Sequence, residues 1–297
     1  MDTLQNLQRK LDAAKDIKSI VRSMKAMAAS NIGQYETAVS SLADYYRVIA
    51  LGIITYFRGN KIDVTIENKF IKKNNEKLIC AIVIGSDQGL VGQFNDSLAE
   101  FVSQFFHSLE GKKELWTVGE RIQLLLSDTD YTHTENFYVP NSVDAITSLV
   151  GQILIKSQEN IEKGNLNTFY IFHNQQKSGS HYKPVVQQFL PMDINWRNKL
   201  EEFHWPTKKI PQIMGGFEHT LLALINEYLF TSLFKACAES LASENSSRLK
   251  SMQRAEKNID ELLNSLRQNF NHLRQSNIDE ELFDVVSGFE ALKDDTF

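Results

Sequence analysis

The chain has 297 residues, of which 42% are hydrophobic and 23% are charged, and its formal net charge is -5 at pH 7. These values are typical of a globular protein with room for more than one structural unit, and the net negative charge argues against a general nucleic-acid binder, whose surface is basic. The polar start of the chain is unlike a signal peptide, and no apolar run is expected to approach the roughly 20 residues of a membrane helix.

A long helix is expected at the N-terminus, because the first proline of the chain is Pro140. Apolar or small residues recur there at steps of three and four, a period of about 3.5 residues that is typical of a coiled-coil seam. At about 1.5 Å per residue the pattern predicts a rod on the order of 80 Å long. The predicted seam consists of Leu4, Leu7, Leu11, Ala14, Ile17, Val21, Met24, Ala28, Ile32, Tyr35, Val39, Leu42, Tyr46, Ile49 and Ile53.

A second long helix is expected at the C-terminus, where no glycine or proline occurs between Gly216 and Gly288. Two apolar seams at opposite ends of one chain can bury each other only if the helices lie side by side, and helices that emerge from one central domain then run antiparallel. We therefore predict an antiparallel coiled coil closed by the two termini. The second seam consists of Leu249, Met252, Ala255, Ile259, Leu262, Leu266, Phe270 and Leu273.

The second seam loses its large residues in the stretch "ACAESLASENSSRL", which runs from Ala236 to Leu249. Small side chains let two backbones approach closely, so one interpretation is a tight helix crossing. The other is a polar collar that touches a partner. The two interpretations are compatible.

Four cations form a row on one face of the first helix, at steps of three and four: Lys15, Lys18, Arg22 and Lys25. Such spacing places them beside the apolar seam. A solvated helix face would explain the row. Because acidic residues are sparse along it, a partner with an acidic surface is the alternative.

The middle of the chain alternates between strand and helix patterns after the polar connection "RGNKIDVTIENKFIKKNNEK". Strands are expected at "LICAIVIG", "LWTVG", "NFYVP", "LNTFYIFHN" and "YKPVVQQFLP", the last at an edge because it contains prolines. Helices are expected between them, which predicts a mainly parallel sheet flanked by helices. The fold class is therefore α/β, with a Rossmann-like domain at residues 59–210 inserted between helices at 1–58 and 211–297.

The stretch "GSDQGLVGQF", from Gly85 to Phe94, follows the first strand and poses a choice between a phosphate-binding loop and a structural turn. Its glycines match neither GxGxxG nor GxxxxGK[ST], and no acidic residue closes the second strand. We therefore predict a tight turn that needs glycine dihedrals. The seven histidines form no metal-binding pattern in the sequence, and Cys80 and Cys237 are predicted to be inert thiols in the core. No catalytic, cofactor-binding or metal-binding residue is predicted.

Three stretches of the chain resemble the γ subunit of F-type ATP synthases, the central rotor shaft. "SIVRSMKAMAAS" is similar to that family's "KITKAMEMVAAS", and "GSDQGLVGQFN" to its "STDRGLCGGLN". The C-terminal stretch from "ASENSSRL" to "GFEAL" resembles the family pattern without a gap. The positions that match are Ser243, Glu244, Arg248, Met252, Asn258, Asn271, Arg274, Gln275, Ile278, Glu281, Val285, Val286, Gly288 and Ala291.

Some positions depart from the usual pattern of the family. Val91 and Gln93 stand where cysteine and glycine are usual, and Asn31 stands where a lysine commonly follows Ala-Ser. These stretches look more like the γ subunits of the alternate, N-type branch of F-ATPases, which is suspected of pumping sodium ions. The ion-binding carboxylate belongs to the ring subunit, so this chain does not select between protons and sodium.

The resemblance implies a non-catalytic rotor that transmits rotation of the membrane c-ring to the catalytic sites, without a cofactor. Its implied partners are the α and β subunits, the ε subunit and the c-ring, with no nucleic acid. The implied location is the cytoplasmic face of a prokaryotic plasma membrane, reached through the complex. The implied contacts with β are Lys15, Lys18, Arg22, Met24, Lys25, Ser243, Glu244, Arg248 and Met252.

Two other classes of function remain open on the sequence. One is a coiled-coil adaptor or tether unrelated to ATPases, against which the ungapped C-terminal match argues. The other is an α/β enzyme that binds a nucleotide at the loop from Gly85 to Gly92 and uses its helices for oligomerisation.

Overall fold

In the computed structural model, two helices much longer than the usual helix precede and follow an α/β unit in the chain. The structure describes residues 3–59, 78–162, 168–177, 181–191, 207, 209 and 217–294. The polar connection predicted after the first helix falls largely outside the described residues. The elements are α1 (Leu4–Gly59), β1 (Leu78–Ile84), α2 (Phe94–His107), β2 (Lys112–Val118), α3 (Glu120–Leu126), β3 (Thr132–Phe137), α4 (Val143–Glu162), β4 (Thr168–Gln176), β5 (Tyr182–Leu190) and α5 (Phe217–Asp294).

The strands form one sheet in the order β3-β2-β1-β4-β5. The pairs β1 with β2, β1 with β4 and β2 with β3 are parallel, and only β5 runs antiparallel to its neighbour β4. The predicted α/β class with a mainly parallel sheet is therefore confirmed, and the proline-containing β5 lies at an edge as expected.

Strand β3 lies earlier in the chain than the sequence predicted. The apolar stretch "NFYVP" was expected to form it, but the strand that pairs with β2 is Thr132–Phe137, with the polar sequence THTENF. It is the other edge strand of the sheet, and most of its side chains are exposed or half-buried. An edge strand needs less apolar surface than a central one, so hydrophobicity was a poor guide to its position.

The two faces of the sheet are covered by different layers, as the alternation of side chains along β1 shows. Cys80, Ile82 and Ile84 belong to a cluster with α4 and with parts of α1 and α5, whereas Ala81 and Val83 belong to a cluster with α2 and α3. Parallel strands buried on both faces explain the continuous apolar run of β1.

Both cysteines lie in the core of the α/β unit. Cys80 and Cys237 are at most 1% exposed and form no disulfide. Burial raises the pKa of the Cys80 thiol well above its usual range, and it raises the pKa of Cys237 to about 12. Neither thiol is therefore a nucleophile at neutral pH, in keeping with the predicted core role.

The chain divides into two compact units, residues 1–27 with 249–297 and residues 28–248. The first contains the N-terminal part of α1 and the C-terminal part of α5. The second contains the sheet, its covering helices and the remaining parts of the two long helices.

Within the part of the chain that the structure describes, two stretches are long and apolar enough to cross a membrane, one within Leu4–Thr55 and one within His219–Ser287. The expectation that no apolar run approaches that length was therefore wrong. The second stretch is 56% buried inside the protein, and core helices of soluble proteins pass the same test. These stretches are thus weak grounds for a membrane span.

Candidate partner-contact surfaces

The first unit is an antiparallel coiled coil, as predicted. Leu11 and Ala14 of α1 form a buried cluster with Leu263 of α5, against which Ile259, Leu266 and Phe270 also pack. Ion pairs link Lys18 to Asp260 and Lys25 to Glu256, so residue numbers that rise along α1 meet falling numbers along α5. This is the signature of antiparallel helices.

Two predicted seam positions were wrong, and at a third, the half-buried Met24, the inward position belongs to its neighbour Lys25. The Ile17 side chain is 52% exposed and that of Leu262 is 51% exposed, whereas their neighbours Lys18 and Leu263 face the partner helix. In α1 the inward positions then alternate strictly between steps of four and three: Leu7, Leu11, Ala14, Lys18, Val21 and Lys25. At the first choice hydrophobicity favoured Ile17, but the heptad geometry places the charged Lys18 inward; at the second, both candidates are leucines and Leu263 is the buried one.

Three of the four cations in the predicted row are paired with acidic residues of α5. Lys18 pairs with Asp260, and Glu256 accepts a hydrogen bond from Arg22 Nε at 2.7 Å and one from Lys25 Nζ at 2.5 Å. The fourth, Lys15, bonds Asp12 on its own helix at 2.8 Å. Of the two explanations left open for the row, the acidic surface applies to three of its members, and this chain itself supplies it.

Glu256 is the centre of this ion-pair group. Its side chain is 16% exposed, and the hydrogen bonds from Lys25 and Arg22 lower its pKa to about 2. The pKa of Glu256 in the folded protein lies below its ordinary value of 4.5, so the charged carboxylate stabilises the coil. This stabilisation is fully present above about pH 4.5 and is lost as the pH falls towards about 2.

We expect the Glu256→Gln variant to isolate this pH dependence. Above about pH 4.5 the variant should have a lower thermal midpoint than the parent chain, and the difference should shrink as the pH falls to about 2, because the parent carboxylate is then protonated as well. Circular dichroism melts of both proteins across this range provide the measurement. A difference that does not change with pH would contradict the assigned pairing.

An apolar stripe lies on the exposed side of α1, and the sequence reading did not identify it. The side chains of Ile17, Ile20 and Met27 are 52%, 60% and 66% exposed, and Met24 is half-buried between them. Their spacing of three and four residues places them on one helix face. The same spacing is present in the sequence, where the predicted seam includes Ile17 and Met24. We name these four residues the outer stripe.

The C-terminal end of α5 also exposes large apolar side chains. Residues 277–287 are all exposed. The apolar members of this stretch are Ile278, Leu282, Phe283, Val285 and Val286, of which Phe283 is 73% exposed. A run of exposed apolar residues this dense is typical of a contact surface rather than of a solvated helix.

The small-residue segment of α5 packs tightly within the second unit, which agrees with the crossing interpretation. Its three alanines, Ala236, Ala238 and Ala242, are each at most 3% exposed. Three of its serines donate hydrogen bonds to backbone carbonyls: Ser240 to Ile84, Ser243 to Asn174 and Ser247 to Val91. Ile84 ends β1 and Val91 follows it, while Asn174 lies near the end of β4, one residue past the partner of Ile84, so α5 crosses the sheet there.

This crossing occupies the place where α/β folds of this type usually hold a ligand. The strand order reverses between β1 and β4, and ligands of open α/β sheets bind in the crevice outside the carboxyl ends at such a switch point. Here the serine-bearing face of α5 fills the crevice. The loop after β1 therefore faces a helix of the same chain.

The loop itself is fixed by polar contacts with its neighbours. Asp87 accepts hydrogen bonds from the amides of Glu120 and Val139 at 3.0 and 3.2 Å, and the Asn95 side chain accepts one from Ser86 N at 3.0 Å and donates one to its hydroxyl at 2.8 Å. These contacts tie the ends of β1, β2 and β3 together. The structure supports the predicted turn.

The predicted need for glycine dihedrals holds at Gly92 but not at Gly85 or Gly89. Only Gly92 has a positive φ, of 61°, and the non-glycine Leu90 shares that conformation with a φ of 62°. Gly85 is required instead by space, since a Cβ atom there would lie 2.4 Å from Ile122 Cβ. Gly89 has no atom within 4 Å of such a Cβ, so it is under neither constraint.

The predicted contact residues of α5 are mostly buried in this chain. Ser243 and Met252 are at most 1% exposed. Glu244 and Arg248 form an ion pair at 2.6 Å, with side chains 6% and 13% exposed. Burial raises the pKa of Glu244 more than the Arg248 guanidinium lowers it. Among the described residues, Glu244 Oε2 and Arg248 Nε have no hydrogen-bond partner.

A further buried contact joins α5 to β4. His173 Nε2 lies 2.9 Å from a Glu239 carboxylate oxygen, and Gln175 donates to the same carboxylate. Burial alone would raise the pKa of Glu239, but His173 together with Lys235 and Gln175 lowers it below its ordinary value. Polar contacts thus extend along the whole crossing.

Comparison with protein families places nearly the whole chain in one family. The family model described as ATP synthase matches residues 3–292. The ATP synthase gamma chain of Bdellovibrio bacteriovorus is 24% identical over 306 residues, covering 99% of this chain and 100% of the relative. That of Mycoplasma mobile is 27% identical over 293 residues, covering 98% of this chain and 99% of the relative.

Solved structures show the same fold. A chain in the OSCP/F1/c-ring structure of the Euglena gracilis mitochondrial ATP synthase, in rotational state 3, has a TM-score of 0.60 and 16% identity, with 97% of this chain and 94% of that chain covered. A chain of the rotor of the same enzyme, in rotational state 1, has a TM-score of 0.57 and 16% identity, with coverage of 93% and 98%.

Proposed function

This chain belongs to the ATP synthase family, in which its relatives are gamma chains, and we propose from that premise that it couples rotation of a membrane ring to the catalytic sites. It is a central-stalk subunit of an F-type ATP synthase and is not itself the catalytic subunit. In this proposal the coiled coil stands among alternating α and β subunits, and the asymmetric surface of the coil determines which catalytic site is open.

The observation that carries the proposal is the occupation of the switch-point crevice by α5. Ser240, Ser243 and Ser247 fill the position where an α/β enzyme of this type would bind its nucleotide. This favours a unit that holds the shaft over one that performs chemistry. The α/β unit is then the foot of the rotor, bound to the c-ring and to the ε subunit.

We propose that the β subunits meet the outer stripe and its neighbour Lys15 rather than the whole cation row. Lys18, Arg22 and Lys25 are engaged with α5, although Arg22 remains 60% exposed and can make a second contact. The half-buried Met24 lies within the outer stripe. The predicted contacts at Ser243, Glu244, Arg248 and Met252 stay a prediction by resemblance; in this chain these residues support the packing of α5.

The proposed location is the cytoplasmic face of a prokaryotic plasma membrane, where the chain is peripheral and attached through the membrane-associated complex. The prediction of the N-type branch rests on the departures at Val91, Gln93 and Asn31 and stays a prediction. The ion that drives rotation is set by the ring subunit in either branch.

The test is co-expression of this chain with candidate α and β subunits from the same genome, followed by native mass spectrometry and an ATPase assay on one sample. We expect one copy of this chain in a complex of alternating α and β subunits, with steady ATPase activity only when the chain is present. If the chain is found only as a folded oligomer without α and β subunits, the result supports the adaptor hypothesis instead. Saturable micromolar binding of ATP to the isolated chain would favour the enzyme hypothesis.

A further inference from the structure

The serine contacts of α5 reach three separate segments of the α/β unit. Ser240 Oγ donates to the carbonyl of Ile84 at 3.0 Å, at the last residue of β1, and Ser247 Oγ donates to that of Val91 at 2.5 Å, in the loop beyond it. The Ser243 hydroxyl lies 3.0 Å from the carbonyl of Asn174 in β4 and 2.8 Å from that of Glu239 in its own helix. Its single proton is shared between the two.

These contacts are not the usual ones for serine in a helix. A helical serine commonly bonds the carbonyl four residues earlier, as Ser97 and Ser157 do here. Ser240 and Ser247 instead bond carbonyls 156 positions earlier in the chain. All three serines are at most 7% exposed, so each bond is shielded from competing water.

Three such bonds fix the axial position and the rotation of α5, which apolar packing alone constrains weakly. The hydrophobic cluster between α5 and the sheet holds the helix down, but the hydrophobic effect has no direction and resists sliding or turning of a helix weakly. Hydrogen bonds depend on distance and angle. Residues 240 and 247 lie about 10 Å apart along the helix, so bonds at both ends and between them define its axial position and its rotation about its axis.

We propose that Ser240, Ser243 and Ser247 are positioning residues for rotational coupling, because they lock α5 to the α/β unit so that torque on one is carried by the other. This inference rests on the proposed function, in which the α/β unit is driven from the membrane and the coiled coil acts on the β subunits. The three hydroxyls lie in the switch-point crevice, where related folds bind a ligand, and there they connect α5 rigidly to the sheet.

The test compares four variants in the complete ATP synthase complex reconstituted into vesicles. The first removes all three hydroxyls, S240A/S243A/S247A, and the second, S240A/S247A, retains the central one. The destabilised control is Leu98→Ala, since Leu98 is fully buried in the cluster with α2 and α3, on the opposite face of the sheet from α5. The neutral control is Ser265→Ala, at an exposed serine of α5. ATP hydrolysis and ATP-driven ion transport are measured on the same vesicles.

We expect S240A/S247A, which leaves the predicted β contact Ser243 unchanged, to keep its ATP hydrolysis while the ions transported per ATP fall by about twofold or more, with a larger loss in the triple variant. Leu98→Ala should lower the thermal midpoint of the isolated full chain without changing transport per ATP. The inference is overturned if both serine variants keep the parent ratio, or if Leu98→Ala lowers the ratio equally. If the parent complex itself fails to pump, the proposed function fails first, which separates the two results.

Discussion

Replacing Gly85 by alanine is expected to destabilise the α/β unit by about 3 kcal/mol, the upper part of the range for overpacking a core site. The added Cβ would lie 2.4 and 2.5 Å from Ile122 Cβ and Cγ2, and 2.8 Å from Asn95 Oδ1. These neighbours are themselves fixed, since Ile122 is fully buried and Asn95 holds the loop through Ser86. Urea denaturation of the full chain, followed by circular dichroism, measures the effect.

Gly89→Ala is the matched control within the same loop. No atom lies within 4 Å of the position that the added Cβ would take, and the φ of Gly89 is not positive, so we expect a change in the free energy of unfolding of about 0.5 kcal/mol or less. A structural turn predicts this large difference between the two glycines. Equal losses at both, or none at Gly85, would contradict the packing described for the loop.

Replacing Lys18 and Lys25 together by glutamate is expected to open the coiled coil. The change would place two further carboxylates beside Asp260 and Glu256 at inward positions, where the native pairs are formed. Repulsion would replace attraction at both contacts. We expect hydrogen-exchange protection in residues 14–27 and 249–266 to fall about tenfold or more, while the α/β unit keeps its protection.

Two further variants separate pairing from a general effect of charge. Lys15→Glu alters a cation that bonds only Asp12 of its own helix among the contacts described, so it should change protection in the coil little. In the Lys18→Glu background, Asp260→Lys should restore much of the protection, because it re-forms the pair with reversed sign. If Lys15→Glu is as damaging as the double variant, or if reversal gives no recovery, then the cation row acts through its net charge instead.

The sequence predicted most of the architecture because its signals are local and strong. The seam of α1 continues over many turns without proline, and the continuous apolar run of β1 is typical of a buried parallel strand. The prolines of "YKPVVQQFLP" correctly indicated an edge strand. Each of these features is set by residues close together in the chain.

The errors arose where polarity and geometry disagree. Ile17 and Lys18 are neighbours, and so are Leu262 and Leu263, but only one residue of each pair can face inward. Between Ile17 and Lys18, hydrophobicity selects the wrong residue. A strict alternation of three and four would have selected Lys18. An acidic residue at a matching antiparallel position, such as Asp260, would then have been the expected partner.

The crossing of α5 over the sheet could not be derived from local pattern. The spacing of Ser240, Ser243 and Ser247 on one helix face was visible, but the carbonyls that they bond belong to residues far away in the sequence. Such contacts depend on the closure of the whole fold. They explain why a glycine-containing loop after β1 can lie at the switch point of the sheet and still serve as a structural turn.

The most direct test of the central claim is to observe whether the α/β unit turns when ATP is hydrolysed. Because Cys80 and Cys237 are buried, a cysteine introduced at the exposed Glu110 can be labelled selectively with a probe, in a complex whose β subunits are fixed to a surface. The account predicts that the probe rotates in one direction, at a rate that follows ATP hydrolysis. A complex that hydrolyses ATP at its full rate while the bound probe stays still would contradict it.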